Sequence, residues 1–178
     1  GSLTYHRFAI DNAAVRSEAE TLFANVASHP RIRVLTHALC NGWFTDHYLP
    51  VIQGDRLFKV RAKSCVLATG SSEQHVVFRN NDLPGVVLCS ALERLINHYA
   101  VAPQGKLVVL AGNDQAWMTA FTAADAGLSV SAVVDLRDAP GDEALLAEAN
   151  VRGMTVHMGA TVYAARRDSE SQSLCSVD

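Results

Sequence analysis

The chain has 178 residues, 49% of them hydrophobic and 19% charged, enough to bury a sizeable core as one large domain or parts of two. Its formal net charge of −3 gives no electrostatic reason to expect nucleic acid or an anionic membrane as a partner. The apolar runs are far too short to span a bilayer, and His6, Arg7 and Asp11 interrupt the start, so no membrane helix or signal peptide is expected and the location reads as cytoplasmic.

Taken in chain order, Asn12 is placed to cap a helix over 13–28, with Val15, Ala19, Leu22, Phe23 and Val26 at helical spacing. His29-Pro30 ends it. Four short β-like runs follow at 32–38, 39–45, 48–53 and 57–61, with a Gly54-Asp55 turn between the last two. Their links are too short for parallel crossovers, which predicts an antiparallel meander. The next run, Ser64-Cys65-Val66-Leu67-Ala68-Thr69-Gly70, is almost wholly apolar and predicts a strand covered on both faces that stops on a turn. Residues 71–85, with Asn80-Asn81-Asp82 and Pro84-Gly85, form a connector. A helix over 87–99 then sets Leu88, Leu92, Leu95 and Ile96 on one face.

The second half alternates: strand 106–111, helix 115–126, strand 129–135, helix 142–151 and strand 155–158. That order predicts a parallel sheet with helices packed on it. The run 161–166 reads as a strand entering a hairpin, with no partner strand in the Ser/Asp-rich end. The expected fold class is α/β: a Rossmann-like parallel sheet with helices plus an antiparallel β-meander, in an incomplete two-dinucleotide-domain architecture. Residues 1–85 are expected to be the C-terminal portion of a first dinucleotide-binding domain. Residues 86–178 are expected to be a second, inserted Rossmann-like domain, truncated at its C-terminus. The chain thus reads as a piece of something larger, and apolar surface at open sheet edges would favour dimers of such a piece.

The turn after strand 106–111 reads Gly112-Asn113-Asp114-Gln115-Ala116-Trp117, where a G-x-G-x-x-G fingerprint needs glycine at 112, 114 and 117. Only Gly112 is present. Asp114 sets a carboxylate where pyrophosphate would lie, and like charges at contact distance repel. Trp117 puts the largest side chain where glycine lets helix and strand meet. Asp135, 23 residues after Gly112 (135 − 112), stands where an acidic residue binds a ribose hydroxyl, although acidic residues also end strands because they are solvated there. The turn predicts a unit kept for its fold, with Asp114 as a helix cap.

Reactive chemistry is sparse. The four cysteines, at 40, 65, 89 and 175, contain no C-x-x-C pair, which speaks against a redox disulfide or zinc knuckle, and Cys65 reads as a small buried hydrophobe. The seven histidines are scattered, and Glu73 with His75 reads as a solvated loop pair. No G-x-S-x-G elbow, H-E-x-x-H pair or P-loop occurs. No catalytic residue or metal ligand is assigned.

The order of helix, meander, strand ending Ala68-Thr69-Gly70, connector and new βαβ unit resembles the flavoproteins with two dinucleotide domains, typified by glutathione and thioredoxin reductases. More closely, Arg61-Ala62-Lys63, 66–70, Glu73-Gln74, Val77-Phe78, Asn80-Asn81-Asp82, Pro84-Gly85-Val86 and the Gly112-Asn113-Asp114 turn resemble the α subunit of heterotetrameric sarcosine oxidases. Gly1-Ser2-Leu3 is similar to a Gly-Gly-Ser-Leu segment there. The resemblance implies a subunit of an oxidoreductase that demethylates sarcosine to glycine, formaldehyde and hydrogen peroxide. It further implies NAD in the first dinucleotide fold of the full-length subunit, FAD and FMN in the wider complex, and a flavin-bearing β subunit as partner. Alternatives are a related flavin-dependent amine or opine dehydrogenase subunit, or a non-catalytic assembly module. By the same resemblance Ala68, Thr69 and Gly70 would lie beside the dinucleotide, His37 and Ala38 would face its adenine, and Leu3 would line the same groove. The missing glycine fingerprint before this region removes the principal phosphate cradle, so the chain alone is expected to hold NAD weakly or not at all.

Overall fold

A computed structural model describes residues 13–168 and 174–178, the side chain of Cys175 excepted. They divide into two compact units, one built on 17–72 and the other on 73–178 together with 13–16. Leu3 and Asn12 lie outside the described residues.

Helix α1 (Ala13–Ser28) has the expected span, but none of its residues is buried, and Leu22, Phe23 and Val26 are exposed. The meander has three strands rather than four: β1 (Ala38–Cys40), β2 (Tyr48–Gln53) and β3 (Arg56–Arg61), in antiparallel order β1-β2-β3. The run 32–38 contributes only Ala38, because His37 turns into the left-handed region (φ 51°) and ends any extension before it. The run 39–45 is cut after Cys40 by a tight turn at Thr45–His47, where Asp46 and His47 are also left-handed and the Phe44 amide closes onto the Tyr48 carbonyl. Leu39, Ile52 and Leu57 pair in register across the three strands. All three are exposed, so this sheet keeps an uncovered apolar row.

The largest departure is at 64–70, which forms no strand. Val66 is 89% and Leu67 63% exposed, and Cys65 is only half-buried. An extended apolar run becomes a strand only where neighbours take up its backbone hydrogen bonds, and no described residue does so.

The unit around 73–178 holds the core. Helix α2 (Cys89–Tyr99) leads to β4 (Lys106–Ala111), α3 (Asp114–Asp125), β5 (Ser129–Asp135), α4 (Ala144–Val151) and β6 (Thr155–His157). The strands form a parallel sheet ordered β4-β5-β6, with Ala111 opposite Asp135. The β-branched and small residues of β4 and β5 suit a sheet packed by helices. Val109, Ala111, Ala116, Trp117, Ala120, Phe121, Val133, Leu145, Ala149 and Met154 make one buried cluster.

The chain end corrects a second expectation. The strand β7 (Ala165–Arg167) does have a partner, β8 (Leu174–Val177), which pairs with it antiparallel. Arg79 of the connector also bridges to Ala164. The short apolar Leu-Cys-Ser-Val stretch lay hidden in polar surroundings. No helix among the described residues is long and apolar enough to cross a membrane.

Candidate functional site

Five of the six expected ligand-facing residues are described, four of them exposed and one half-buried. His37 and Ala38 open β1, where the left-handed His37 is exposed and Ala38 is half-buried. Ala68, Thr69 and Gly70 are exposed on the unpaired 64–70 segment. Gly70 has φ 78°, and a Cβ there would meet nothing within 4 Å. That open, glycine-dependent backbone leaves room for a ligand to approach. Both segments belong to the unit around 17–72, yet no described contact joins them into one pocket. Leu3 lies outside the described residues.

The crevice at the ends of β4 and β5 is built very differently. Asn113 is the cap of α3, its side chain accepting from the Ala116 amide at 3.3 Å. Asp114, expected as the cap, instead accepts the Gly141 amide at 2.9 Å and pairs with Arg137 at 2.8 Å. Asp135 is not solvated at all: it is fully buried. It accepts from Trp117 Nε1 at 2.7 Å, from the Arg137 amide at 2.9 Å, and from Arg137 Nε and Nη2 at 3.0 and 2.8 Å. A bidentate guanidinium with two further N–H donors saturates the carboxylate. No acceptor capacity is left for a ribose.

The electrostatics follow from these contacts. The Gly141 amide hydrogen bond, with help from Arg137, lowers the Asp114 pKa against the opposing effects of burial and of the Asp135 charge. Burial works against the charge on Asp135, but the donors from Arg137 and Trp117 outweigh it and the net shift is downward. Hydrogen bonding to Asp135 raises Arg137 further still. The three groups therefore stay ionised at neutral pH. This set of residues does not fit a bound dinucleotide.

A third cluster surrounds the start of α2. The N-cap Leu88 has no capping side chain. Glu73, sixteen residues earlier (89 − 73), takes that role, its Oε1 accepting the Cys89 amide at 3.0 Å and its Oε2 the Ser90 amide at 2.7 Å. It is an exposed loop residue, as the sequence suggested, but its described partners are these two amides rather than His75. Glu73→Ala is expected to cost about 1 kcal/mol, as for other lost caps, read from the urea midpoint. Glu93, fully buried on α2, accepts from Thr119 Oγ1 at 2.6 Å and Gln115 Nε2 at 3.1 Å. Cys89 is pushed up to about 12 by burial and by the Glu73 and Glu93 carboxylates, so it remains a thiol and is no nucleophile at neutral pH.

Sequence reasoning missed the Trp117–Asp135–Arg137–Asp114 network. One signal was present, since a buried indole N–H needs an acceptor and Asp135 was the acidic residue ending the adjoining strand. Glu73 gave no local signal, because its helix begins sixteen residues away.

No family model matches the chain. Three curated proteins, each called sarcosine oxidase subunit alpha, do. The one from Rhizobium meliloti (strain 1021) is 31% identical over 79% of this chain and 16% of its own length. Those from Corynebacterium sp. strains U-96 and P-1 are 32% and 38% identical, over 68% and 62% of this chain and 12% and 11% of theirs. The chain is a relative of the sarcosine oxidase α subunit. It spans at most 16% of the length of these curated relatives. Among solved structures it resembles an NAD-dependent persulfide reductase from A. fulgidus, with TM-score 0.59, 15% identity, and coverage of 85% of this chain and 29% of that one. The covalent putidaredoxin reductase–putidaredoxin complex gives TM-score 0.59 and 17% identity over 98% and 44%. A T. acidophilum thioredoxin reductase gives 0.58 and 14% over 90% and 51%. At these identities the likeness is one of fold: the mixed α/β architecture of reductases with two dinucleotide domains.

Proposed function

We propose that this chain is the dinucleotide-domain scaffold of an α subunit in a sarcosine-oxidase-type complex. The complex would oxidise a CH–NH bond and release glycine, formaldehyde and hydrogen peroxide from sarcosine in the cytoplasm. The observation that carries this reading is sequence identity of 31–38% to subunits of that name. In it, 1–85 belongs to the first dinucleotide domain and 86–178 to the second, and a flavin-bearing β subunit is the partner. NAD bound to the full-length subunit would run beside Ala68, Thr69 and Gly70 and past His37, Ala38 and Leu3. FAD and FMN would serve the wider complex. What the described residues contribute to this groove is an accessible backbone: the open left-handed Gly70 and the exposed turn at His37.

The test is a calorimetric titration of NAD and FAD into this chain and into the full-length subunit. The expected result is tight NAD binding by the full-length subunit and at least about 100-fold weaker binding by this chain, since the phosphate cradle supplies much of the affinity. Tight binding by this chain alone would place the phosphate site within it. The internally paired charges of the β4–β5 crevice favour a second reading, a non-catalytic assembly module, and absence of binding by the full-length subunit would select it. Turnover of another secondary amine in preference to sarcosine would point to a related amine or opine dehydrogenase.

A further inference from the structure

Ligands of open α/β sheets enter the crevice beyond the carboxyl ends of the strands. Beyond β4 and β5 the segment 136–141 is held at this crevice by contacts of the protein itself. Leu136 lies over Gly112, close enough that its Cδ1 would stand 3.7 Å from a Cβ placed there. Leu136 thus flanks the backbone that a fingerprint glycine would offer to pyrophosphate, while Gly112 itself stays exposed. The Leu136 amide donates to the Ala111 carbonyl at 2.9 Å, and the Arg137 carbonyl accepts from Gly159 at 2.8 Å, so the segment is held from the β4 and β6 sides. Its far end reaches back to α3 through the Gly141 amide on Asp114. The fit there is tight: a Cβ on Gly141 would run into the Asp114 carboxylate.

We propose that residues 136–141 are a built-in strap that closes the β4–β5 crevice to nucleotides, with the Asp114 carboxylate as its latch. Asp114 begins α3, where a helix favours negative charge and where a dinucleotide would bring its phosphates. The carboxylate holds that position permanently. Arg137, a cation that could otherwise receive a phosphate, is turned inward and shared between Asp114 and the buried Asp135. The Arg137 charge is thus already taken up by carboxylates within the chain. The strap does not depend on the amine-oxidation reading, because it would close the crevice in a scaffold equally well.

The strap is tested by amide hydrogen exchange on the full 178-residue chain and two variants. Asp114→Ala removes the latch, and Gly141→Ala keeps the carboxylate but sets a methyl group against it, which parts it from the Gly141 amide. In both, exchange at 138–141 is expected to rise about tenfold or more over wild type, as for a locally released segment, while exchange in β5 is unchanged. Unaltered exchange at 138–141 in both variants would overturn the latch. A second readout is Trp117 emission in a Trp43→Phe background titrated with ADP-ribose. No response is expected with the latch intact. A saturable response accompanied by faster exchange at 138–141 would show that the crevice admits a nucleotide and that the strap does not close it.

Discussion

Trp117→Gly, which supplies the third glycine of a dinucleotide fingerprint, is expected to destabilise the chain by about 4–6 kcal/mol and not to create nucleotide binding. Removing a buried tryptophan leaves a cavity that costs about 3–5 kcal/mol, and glycine within a helix adds about 1 kcal/mol over alanine. Trp117 is fully buried, in one cluster with Val109, Phe121 and Val133, so the site has little freedom to collapse. Against a typical stability of about 5–15 kcal/mol, that loss shows as a large fall in the urea midpoint or as loss of a cooperative transition by circular dichroism. Trp117→Phe separates packing from hydrogen bonding. It keeps a ring but strips Asp135 of the indole donor, for an expected cost of about 1–3 kcal/mol. A Trp117→Gly chain as stable as wild type would show that the ring is no part of the core.

Position 117 also shows why some of this protein could be read from its sequence and some could not. The βαβ half was legible because its signals are local: β4 and β5 have the expected bounds, and a glycine stops the helix between them. Each of those elements buries its apolar face against its neighbours in sequence. The segment 64–70 has an equally strong apolar signal, but a parallel strand is decided by partners far away in the chain, and none is among the described residues. The apolar faces of α1 and of the meander likewise lack cover. The candidate site divides in the same way. That the Gly112-Asn113-Asp114 turn lacks the glycines of a phosphate cradle followed from residue types, since charge and bulk stand where glycine belongs. That Asp114 is held by the Gly141 amide, and Asp135 by Trp117 and Arg137, depends on partners 18 to 27 residues apart in two of these three pairs, which no local pattern encodes.

Arg137→Ala is expected to cost about 3 kcal/mol at pH 7, at the low end for breaking a buried ion pair because the Arg137 side chain keeps 30% of its surface exposed. The variant leaves Asp135 fully buried with only the Trp117 and backbone donors. The pH dependence distinguishes lost charge pairing from lost packing. In the wild type the folded-state pKa values of Asp114 and Asp135 lie below their unfolded values, which are about 3.9. Between the folded and unfolded values the unfolded chain binds more protons, so the stabilisation is complete above about pH 4 and is lost as pH falls through the folded values. In Arg137→Ala, burial opposes the charge on Asp135 with no guanidinium to offset it, and the shift turns upward. Protonation then relieves the variant under conditions where it still penalises the wild type. The stability gap should therefore narrow steadily from pH 7 to pH 3 in urea titrations. A gap that stays constant over that range would mean that Arg137 acts through the packing of its aliphatic stem and that Asp135 is stabilised by Trp117 and the backbone alone.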